Sequence, residues 1–270
     1  MYDEPYRWVE AVGNRRQYLD EQFKQGAPVV GVTYDDGLVL VTVSRGTPKL
    51  YEIYDRIALG GMGHPADLEK LRFSLLEMAH VEGFNRSPSD VTGTRLMKYG
   101  LAPVIKQAFE EIYKAPFIVK ILLAELGQKP ERDVFLTINY DGTFEETRRW
   151  AALGATTAVQ RHIGRYLDAQ TGSGRGTLAQ TVEAALCAWS VGSLAQMETA
   201  DSGAEAPASD ATAADLPGRD RLLSHLRRTV AEKSVECVVL ERSGRGSSRY
   251  RALGADELGA MLPAVLKSEP

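Results

Sequence analysis

Two apolar runs joined by a tight turn constrain the fold of this chain more than any other feature. The first run covers residues 26–32, the turn falls at Asp35-Asp36-Gly37, and the chain returns through Leu38–Val41. An Asp-Gly pair between apolar runs is a strong short-range signal for a β-hairpin, because glycine takes positive φ without a steric cost. The sequence therefore predicts a hairpin that begins near Ala27, behind a leader of 26 residues.

Bulk composition is that of an ordinary globular protein. Of its 270 residues, 44% are apolar and 25% are charged, and the net charge at pH 7 is −4. This charge favours neither nucleic acid nor an anionic membrane as a partner. No apolar run reaches the roughly 20 residues of a membrane span, and the first residues, Met1–Pro5, do not read as a signal peptide.

The two cysteines, Cys187 and Cys237, lie inside apolar runs. Such thiols are typically buried and unpaired, so the sequence does not support a disulfide framework. Together with the missing membrane and secretion signals, this predicts a protein of the reducing cytoplasm.

The leader, Pro5–Lys24, has the pattern of an amphipathic helix. Trp8, Val12, Leu19 and Phe23 fall close to one face. Such a face packs either on the chain's own domain or against a neighbouring subunit, and periodicity alone leaves both open.

After the first hairpin, the pattern predicts blocks of strands separated by helices. The predicted strands are Lys49–Ile53, Arg56–Gly60, Phe117–Ala124, Val134–Asn139, a short piece at Thr143–Phe144, Arg149–Leu153, Val235–Leu240 and Ser247–Ala252. The predicted helices are one from Pro65, one capped by Ser87 or Ser89 and running to Ile112, then Thr156–Leu167, Leu178–Val191, Arg219–Ala231 and Asp256–Val265. Antiparallel strands in blocks between helix pairs favour two stacked sheets with helices on both outer faces.

One stretch is not expected to fold. From Glu198 to Asp215 the chain contains no aromatic and no basic residue, and it consists mainly of Ala, Ser, Thr and acids. Such a segment buries too little apolar surface to offset the entropy of ordering it. We therefore expect a single domain over residues 5–270, with a disordered insertion at about 198–218 and a short tail at residues 1–4.

The polar residues give little sign of metal or cofactor chemistry. The four histidines show no ligand spacing with one another or with the cysteines, so we expect no metal site. Gly60-Gly61-Met62-Gly63 lies between a strand and a helix, where backbone N–H groups favour an anion. It lacks the dinucleotide fingerprint, and the chain has no phosphate-binding loop, so we expect no cofactor and favour a carboxylate over a nucleotide there.

Four local strings occur in the order known from one family. They are LYEIYDRI at Leu50–Ile57, SDVTG at Ser89–Gly93, NYDG at Asn139–Gly142 and LGATT at Leu153–Thr157. In their joint order and spacing the chain resembles proteasome α-subunits, the bacterial, actinobacterial type most of all. The resemblance runs from the leader to about Val191 and resumes over residues 235–262. It implies an α+β fold, the N-terminal-nucleophile-type four-layer αββα sandwich with an N-terminal helix.

The resemblance also implies a function without catalysis. Such subunits form the outer seven-membered ring of the core particle, gate substrate entry and dock a ring-shaped ATPase in ATP-dependent degradation. Their partners are copies of themselves, catalytic β-subunits, the ATPase or another activator, and unfolded protein substrates. In β-subunits a processed Thr is the nucleophile, and that position falls on Ala27, while its supporting acid falls near Val43. We therefore expect no catalytic residue and a subunit that is not itself an enzyme.

Two residues and one segment carry the roles that the resemblance implies. Lys49 matches the lysine that assists the β-subunit nucleophile, and in similar α-subunits it lines a pocket that takes the C-terminal carboxylate of an activator. Gly63 matches a glycine of that pocket. The tail of Met1, Tyr2, Asp3 and Glu4 would be the gate.

Two other functions remain open from the sequence. One is an active, self-processing peptidase or amidase of the proteasome β type, which needs Thr, Ser or Cys where Ala27 stands. The other is a stand-alone binding or scaffold protein that uses the same fold without a seven-fold ring.

Overall fold

A computed structural model describes residues 5–111, 113–172, 174–202, 216–244 and 246–262. The helices in this part are α1 (Pro5–Phe23), α2 (Pro65–Asn85), α3 (Gly93–Arg95), α4 (Ala102–Glu110), α5 (Thr157–Thr171), α6 (Leu178–Ser202), α7 (Arg219–Val230) and α8 (Ala255–Met261). The strands are β1 (Val29–Tyr34), β2 (Gly37–Ser44), β3 (Leu50–Tyr54), β4 (Ile57–Gly63), β5 (Val119–Glu125), β6 (Val134–Ile138), β7 (Phe144–Thr147), β8 (Trp150–Leu153), β9 (Ser234–Glu241) and β10 (Tyr250–Ala252).

The strands form two antiparallel sheets of five. The first has the order β10-β9-β2-β1-β8 and the second the order β3-β4-β5-β6-β7. In the first sheet the predicted hairpin pairs from Val29 opposite Thr42 to Tyr34 opposite Gly37. β9 returns from far along the chain and pairs with β2 over its whole length.

The sheets stack, and helices cover both outer faces. α5, α6, α7 and α8 pack on the first sheet, while α2, α3, a π-helical turn at Leu96–Leu101 and α4 pack on the second. β1 and β2 are buried at every position, because alternate side chains face opposite sides of a strand. Thus Val30 and Val32 pack towards the helices, whereas Val29 packs between the sheets. This is the four-layer αββα sandwich of the N-terminal-nucleophile type, as predicted.

The leader helix α1 packs on its own domain through its C-terminal half. Leu19 and Phe23 are fully buried in the cluster between the sheets, and Val12 packs against that cluster. Burying a Leu or Phe side chain contributes roughly 1.5–3 kcal/mol each. Trp8 was predicted to share this face, but it is 48% exposed, because the first turns of α1 extend beyond the sheets.

The predicted cap of the second helix was wrong. Ser87 accepts a hydrogen bond from the Ser89 N–H, but it caps only a single 3-10 turn at Pro88–Asp90. The helical run over residues 93–110 begins instead after Thr92, whose hydroxyl accepts from the N–H of Arg95 at 3.3 Å. A threonine hydroxyl accepts a hydrogen bond from the N–H three residues later as well as a serine hydroxyl does. The sequence therefore offered more than one candidate for the cap.

Part of the segment predicted to be disordered is helical. α6 continues from Leu178 to Ser202, five residues into the range that begins at Glu198. These five residues extend a helix that is already formed, and propagating a helix costs far less than nucleating a new one. The rest of the predicted insertion is residues 203–218. Of these, residues 203–215 lie outside the described residues. The tail at 1–4 lies outside them as well.

Candidate functional site

The entry to β1 carries no reactive side chain at the two positions that the resemblance assigns to chemistry. Ala27 is half-buried beside the helix-covered core, and Val43 is fully buried in β2. The carbonyl of Gly26, directly before Ala27, accepts a hydrogen bond from Gln196 Nε2 at 2.9 Å. Neither methyl nor isopropyl groups can act as nucleophile, acid or base.

Lys49 lies one residue before β3 and is half-buried. Its carbonyl accepts a hydrogen bond from the Gly61 N–H at 2.9 Å, and its own N–H donates to Glu236 Oε2 at 2.8 Å. The backbone of Lys49 is therefore fixed on both sides. Among the described residues its ammonium group makes no hydrogen bond or ion pair.

Burial and neighbouring charges act on the Lys49 ammonium in opposite directions. Desolvation lowers the pKa of Lys49 from its usual value, the charge of Glu236 opposes this shift, and Lys233 adds to it. A partly desolvated ammonium without an acceptor is a strong site for a carboxylate, because a charge-assisted hydrogen bond then replaces lost hydration.

Gly63 occupies a backbone conformation that requires glycine. Its φ is +130°, and an added Cβ would lie 2.0 Å from the carbonyl oxygen of Ile118. That oxygen accepts a hydrogen bond from the N–H of His64 at 2.7 Å. The close approach of two strands therefore explains this glycine without a ligand.

Lys49, Gly63 and the entry to β1 lie at the same end of the sandwich. Lys49 bonds to Gly61, two residues before Gly63. Gly26 contacts the side chain of Met62: a Cβ atom added to Gly26 would lie 2.9 Å from the Met62 Cγ. The structure thus brings the matched lysine, the glycine and the start of the first strand into one region.

The N-terminus of α2 begins directly after Gly63. Pro65 is its first residue, and His64 caps it, with Nδ1 accepting from the Ala66 N–H at 3.3 Å. A helix of 21 residues carries a partial positive charge at this end, which favours anions nearby. Asp67 Oδ2 accepts from the N–H of Ile118 at 2.8 Å and ties the helix start to β5.

Two cavities open on the surface of the described residues. A cavity of about 540 Å³ lies beside the start of α2, between that helix, α4 and the loop to β5; its walls include His64, Lys70, Val104, Lys114 and Phe117. Another cavity, of about 340 Å³, lies at the turn between β3 and β4, at the end of this hairpin that is remote from Lys49 and Gly63. Its walls include Arg56, Arg242 and Arg249. The first cavity reaches His64, the residue after Gly63, but Lys49 does not line it.

No further chemistry is evident in the part of the chain that the structure describes. Within it, no cluster of three or more His, Cys, Asp or Glu side chains is placed to hold a metal ion. No helix within the same part has the length and apolar character to cross a membrane. The gate residues Met1, Tyr2, Asp3 and Glu4 lie outside it.

Sequence reasoning missed two residues that shape this region. Arg15 of α1 donates from its guanidinium to four main-chain carbonyls after or within α4, those of Ala108, Phe109, Glu111 and Lys114. Glu236 of β9 binds the backbone of Lys49. Both contacts join residues about 90 or more positions apart, and neither local pattern nor spacing indicates such a pair.

Comparison with known proteins identifies the family. The family model described as "Proteasome subunit" matches residues 23–186. The chain is 33% identical over 151 residues to the proteasome subunit alpha of Actinosynnema mirum, covering 54% of this chain and 57% of that one. It is 32% identical over 191 residues to the subunit alpha of Streptosporangium roseum, covering 68% and 71%. It is 30% identical over 187 residues to the subunit alpha of Streptomyces coelicolor, covering 67% of this chain and 70% of that one.

The match spans less than two thirds of the Actinosynnema relative and slightly more than two thirds of the other two. All three relatives are named as alpha subunits and come from actinobacteria. Their names and the match to the family model agree with the αββα sandwich. The chain belongs to the proteasome subunit family and is of the bacterial α-subunit type.

Proposed function

We propose that this chain is a non-catalytic α-subunit that forms the outer seven-membered ring of a proteasome core particle. In this role it gates the entry of unfolded protein and docks a ring-shaped ATPase or other activator, while β-subunits cut the substrate. The observation that carries the docking role is the half-buried Lys49 side chain, whose ammonium has no acceptor among the described residues.

The structure of the leader supports the absence of self-processing. A β-type peptidase would have to lose the residues before Ala27 to expose a nucleophile. Here α1 is held by the buried Leu19 and Phe23 and by four hydrogen bonds from Arg15. Removing α1 would expose that apolar surface and would free an alanine, which has no nucleophile.

The outer surface of α1 supports packing between neighbouring subunits. Trp8, Val9 and Tyr18 are 48%, 63% and 50% exposed. Large apolar side chains grouped on one helix are typical of an interaction surface. The leader thus packs on its own domain through Leu19 and Phe23 and offers Trp8 and Val9 at its N-terminal end, and Tyr18 on its outer side, to a ring neighbour.

The Lys49 region supports docking of a chain end. A free C-terminal carboxylate is the one main-chain group that brings a full negative charge to such a site. Lys49 supplies the ammonium, and the α2 N-terminus after Gly63 adds a favourable dipole. The apolar wall of the cavity of about 540 Å³ next to α2 is suited to side chains near that end.

Substitution of Lys49 by alanine tests this proposal. Loss of a charge-assisted hydrogen bond costs roughly 1.5–3 kcal/mol, so we expect Lys49→Ala to weaken binding of an activator's C-terminal peptide by at least about tenfold. Activation of the assembled particle should be lost while the mass of the ring is unchanged. The measurement is peptide affinity by fluorescence anisotropy, together with native mass.

Two controls separate the site from general charge. Lys98→Ala removes an exposed lysine of the π-helical turn at Leu96–Leu101 and should leave affinity unchanged. A peptide with an amidated C-terminus should bind wild type as weakly as the free acid binds Lys49→Ala. Equal affinity of wild type and Lys49→Ala for the free acid would exclude the docking role.

A further inference from the structure

We propose that Glu236 is a positioning residue for the Lys49 site: its carboxylate holds the loop that carries Lys49 and leaves the lysine ammonium to the carboxylate of a partner. This inference rests on the docking role of Lys49 proposed above. It concerns a residue of β9 that lies beyond the stretch matched by the family model, residues 23–186.

Both oxygens of Glu236 are engaged with the two ends of one loop. Oε1 accepts from the hydroxyl of Ser44 at 2.5 Å, and Oε2 accepts from the backbone N–H of Lys49 at 2.8 Å. Ser44 is the last residue of β2, and Lys49 directly precedes β3. One carboxylate therefore spans the connection between the two sheets.

β9 holds Glu236 in place independently of this loop. Its neighbours in the first sheet are β2 and β10, and Glu236 lies opposite Thr42 in the register with β2. Ser234, two residues earlier, lies opposite Ser44 and donates from its hydroxyl to the Ser44 carbonyl. The carboxylate is thus presented from a strand that pairs with β2 over its whole length, and placement on a strand is the kind of support that a precise binding site requires.

The hydrogen bonds of Glu236 go to the Lys49 backbone and not to its ammonium. A carboxylate that bound the ammonium directly would compete with an incoming chain end. Here both of its oxygens already have donors, so the charge of Glu236 acts on Lys49 without filling its binding position. The geometry therefore fixes the lysine, supports its charge and keeps it free for a partner.

The charges around Lys49 make this role measurable. Glu236 on β9 raises the pKa of Lys49, while Lys233, just before β9, and burial lower it. Tyr51 of β3 and Tyr250 of β10 feel the charge of Glu236 as well, and the pKa of each is raised to about 12, mainly by burial. Both tyrosines are therefore neutral up to about pH 10, and Lys49 can be titrated without interference from them.

The first experiment measures the titration of Lys49 itself, without any partner. Competitive acetylation with mass spectrometry gives the pH at which the amine becomes reactive, in wild type and in Glu236→Gln. Removing an opposite charge at close range is expected to lower the pKa of Lys49. Ser44→Ala is the matched control. It removes the hydrogen bond from Ser44 to Glu236 but keeps the charge of Glu236, so it should leave the pKa of Lys49 unchanged.

The second experiment measures binding of a peptide with a free C-terminus at pH 7 and pH 9.5. Between these values Glu236→Gln should lose more affinity than wild type, since its lysine loses its proton at lower pH. Ser44→Ala should follow the wild-type pH profile. Should Glu236→Gln not assemble, Glu236→Asp takes its place; a carboxylate withdrawn by one methylene should give a smaller downward shift in the same direction.

The outcomes separate this inference from the docking proposal. An unchanged Lys49 titration in Glu236→Gln would overturn the role of Glu236, whatever the peptide does. A shifted titration together with no peptide binding to wild type would retain that role and reject docking. A shifted titration with the predicted loss of affinity would support both.

Discussion

Lys120 is a buried lysine at the centre of the domain, and it shows how one residue links four elements. Its side chain is 4% exposed, and Nζ donates to the carbonyls of Gly154 and Ala155 at 3.0 and 2.9 Å. The ammonium also lies over the rings of Phe23 and Tyr140, 4.8 and 5.9 Å from their centroids. Carbonyl dipoles and aromatic faces thus take the place of a carboxylate partner.

This environment makes the stability of the protein depend on pH. Burial lowers the pKa of Lys120 from 10.5 to about 8, although Asp20 and Asp141 partly oppose the shift. Between about pH 8 and 10.5 the unfolded chain keeps this proton while the folded protein has lost it. Stability from this group therefore rises with pH across that window and is lowest below it.

Lys120→Met tests this dependence, since methionine fills a similar volume but does not titrate. Between pH 7.5 and pH 10 the free energy of unfolding of wild type should rise relative to the variant, by at most about 3 kcal/mol. The measurement is urea unfolding of both proteins at equal chain concentration. The other titratable groups are the same in both proteins. If the free energies of unfolding of wild type and variant changed in parallel with pH, the lowered pKa of the buried Lys120 would be contradicted.

At the scale of elements, the leader helix is anchored well away from its N-terminus. Arg15 lies between the exposed Trp8 and the buried Phe23, and it ties α1 to the carbonyls that follow α4. Each bond to a charged donor contributes about 1.5–3 kcal/mol at most. The helix therefore does not depend on residues 1–4 for its position.

Deletion of Met1–Glu4 should accordingly change the gate and not the fold. In particles assembled with β-subunits, we expect faster hydrolysis of an unfolded protein because the axial pore is open, while cleavage of a short peptide changes less. The mass of the particle should match that of the full-length form. Equal rates of protein hydrolysis with and without the tail would reject the gate assignment.

Local patterns predicted the elements well where a turn or cap stood alone. The Asp36-Gly37 pair is enough to predict β1 and β2. In the structure, however, Gly37 does not take positive φ; an added Cβ there would lie 1.9 Å from the carbonyl oxygen of Leu240, so the pairing of β2 with β9 requires the glycine. The second helix failed at its start because Ser87, Ser89 and Thr92 all satisfy the requirements of a cap. The length of α6 was underestimated because composition alone does not show how far a formed helix propagates into a polar segment.

The candidate site was predictable only in part, for a related reason. Lys49 and Gly63 came from family resemblance, and the structure places them in one region. Glu236 could not be predicted, because it meets Lys49 across 187 residues through the pairing of β9 with β2. Long-range strand pairing is specified by the whole sheet and leaves no local signal in the sequence.

At the scale of the whole molecule, the account depends on assembly. The exposed apolar side chains of α1 and the position of Lys49 at one end of the sandwich have a function only if copies of the chain stand side by side. Closed rings arise when one surface patch meets a different patch on the next copy and the rotation closes.

The native mass of the purified chain, alone and after mixing with a β-subunit from the same genome, tests this account most directly. The account predicts a single or double ring of seven copies, which grows to four stacked rings when the β-subunit is added. A stable monomer or dimer whose mass does not change with the β-subunit would contradict it, and only the fold would remain.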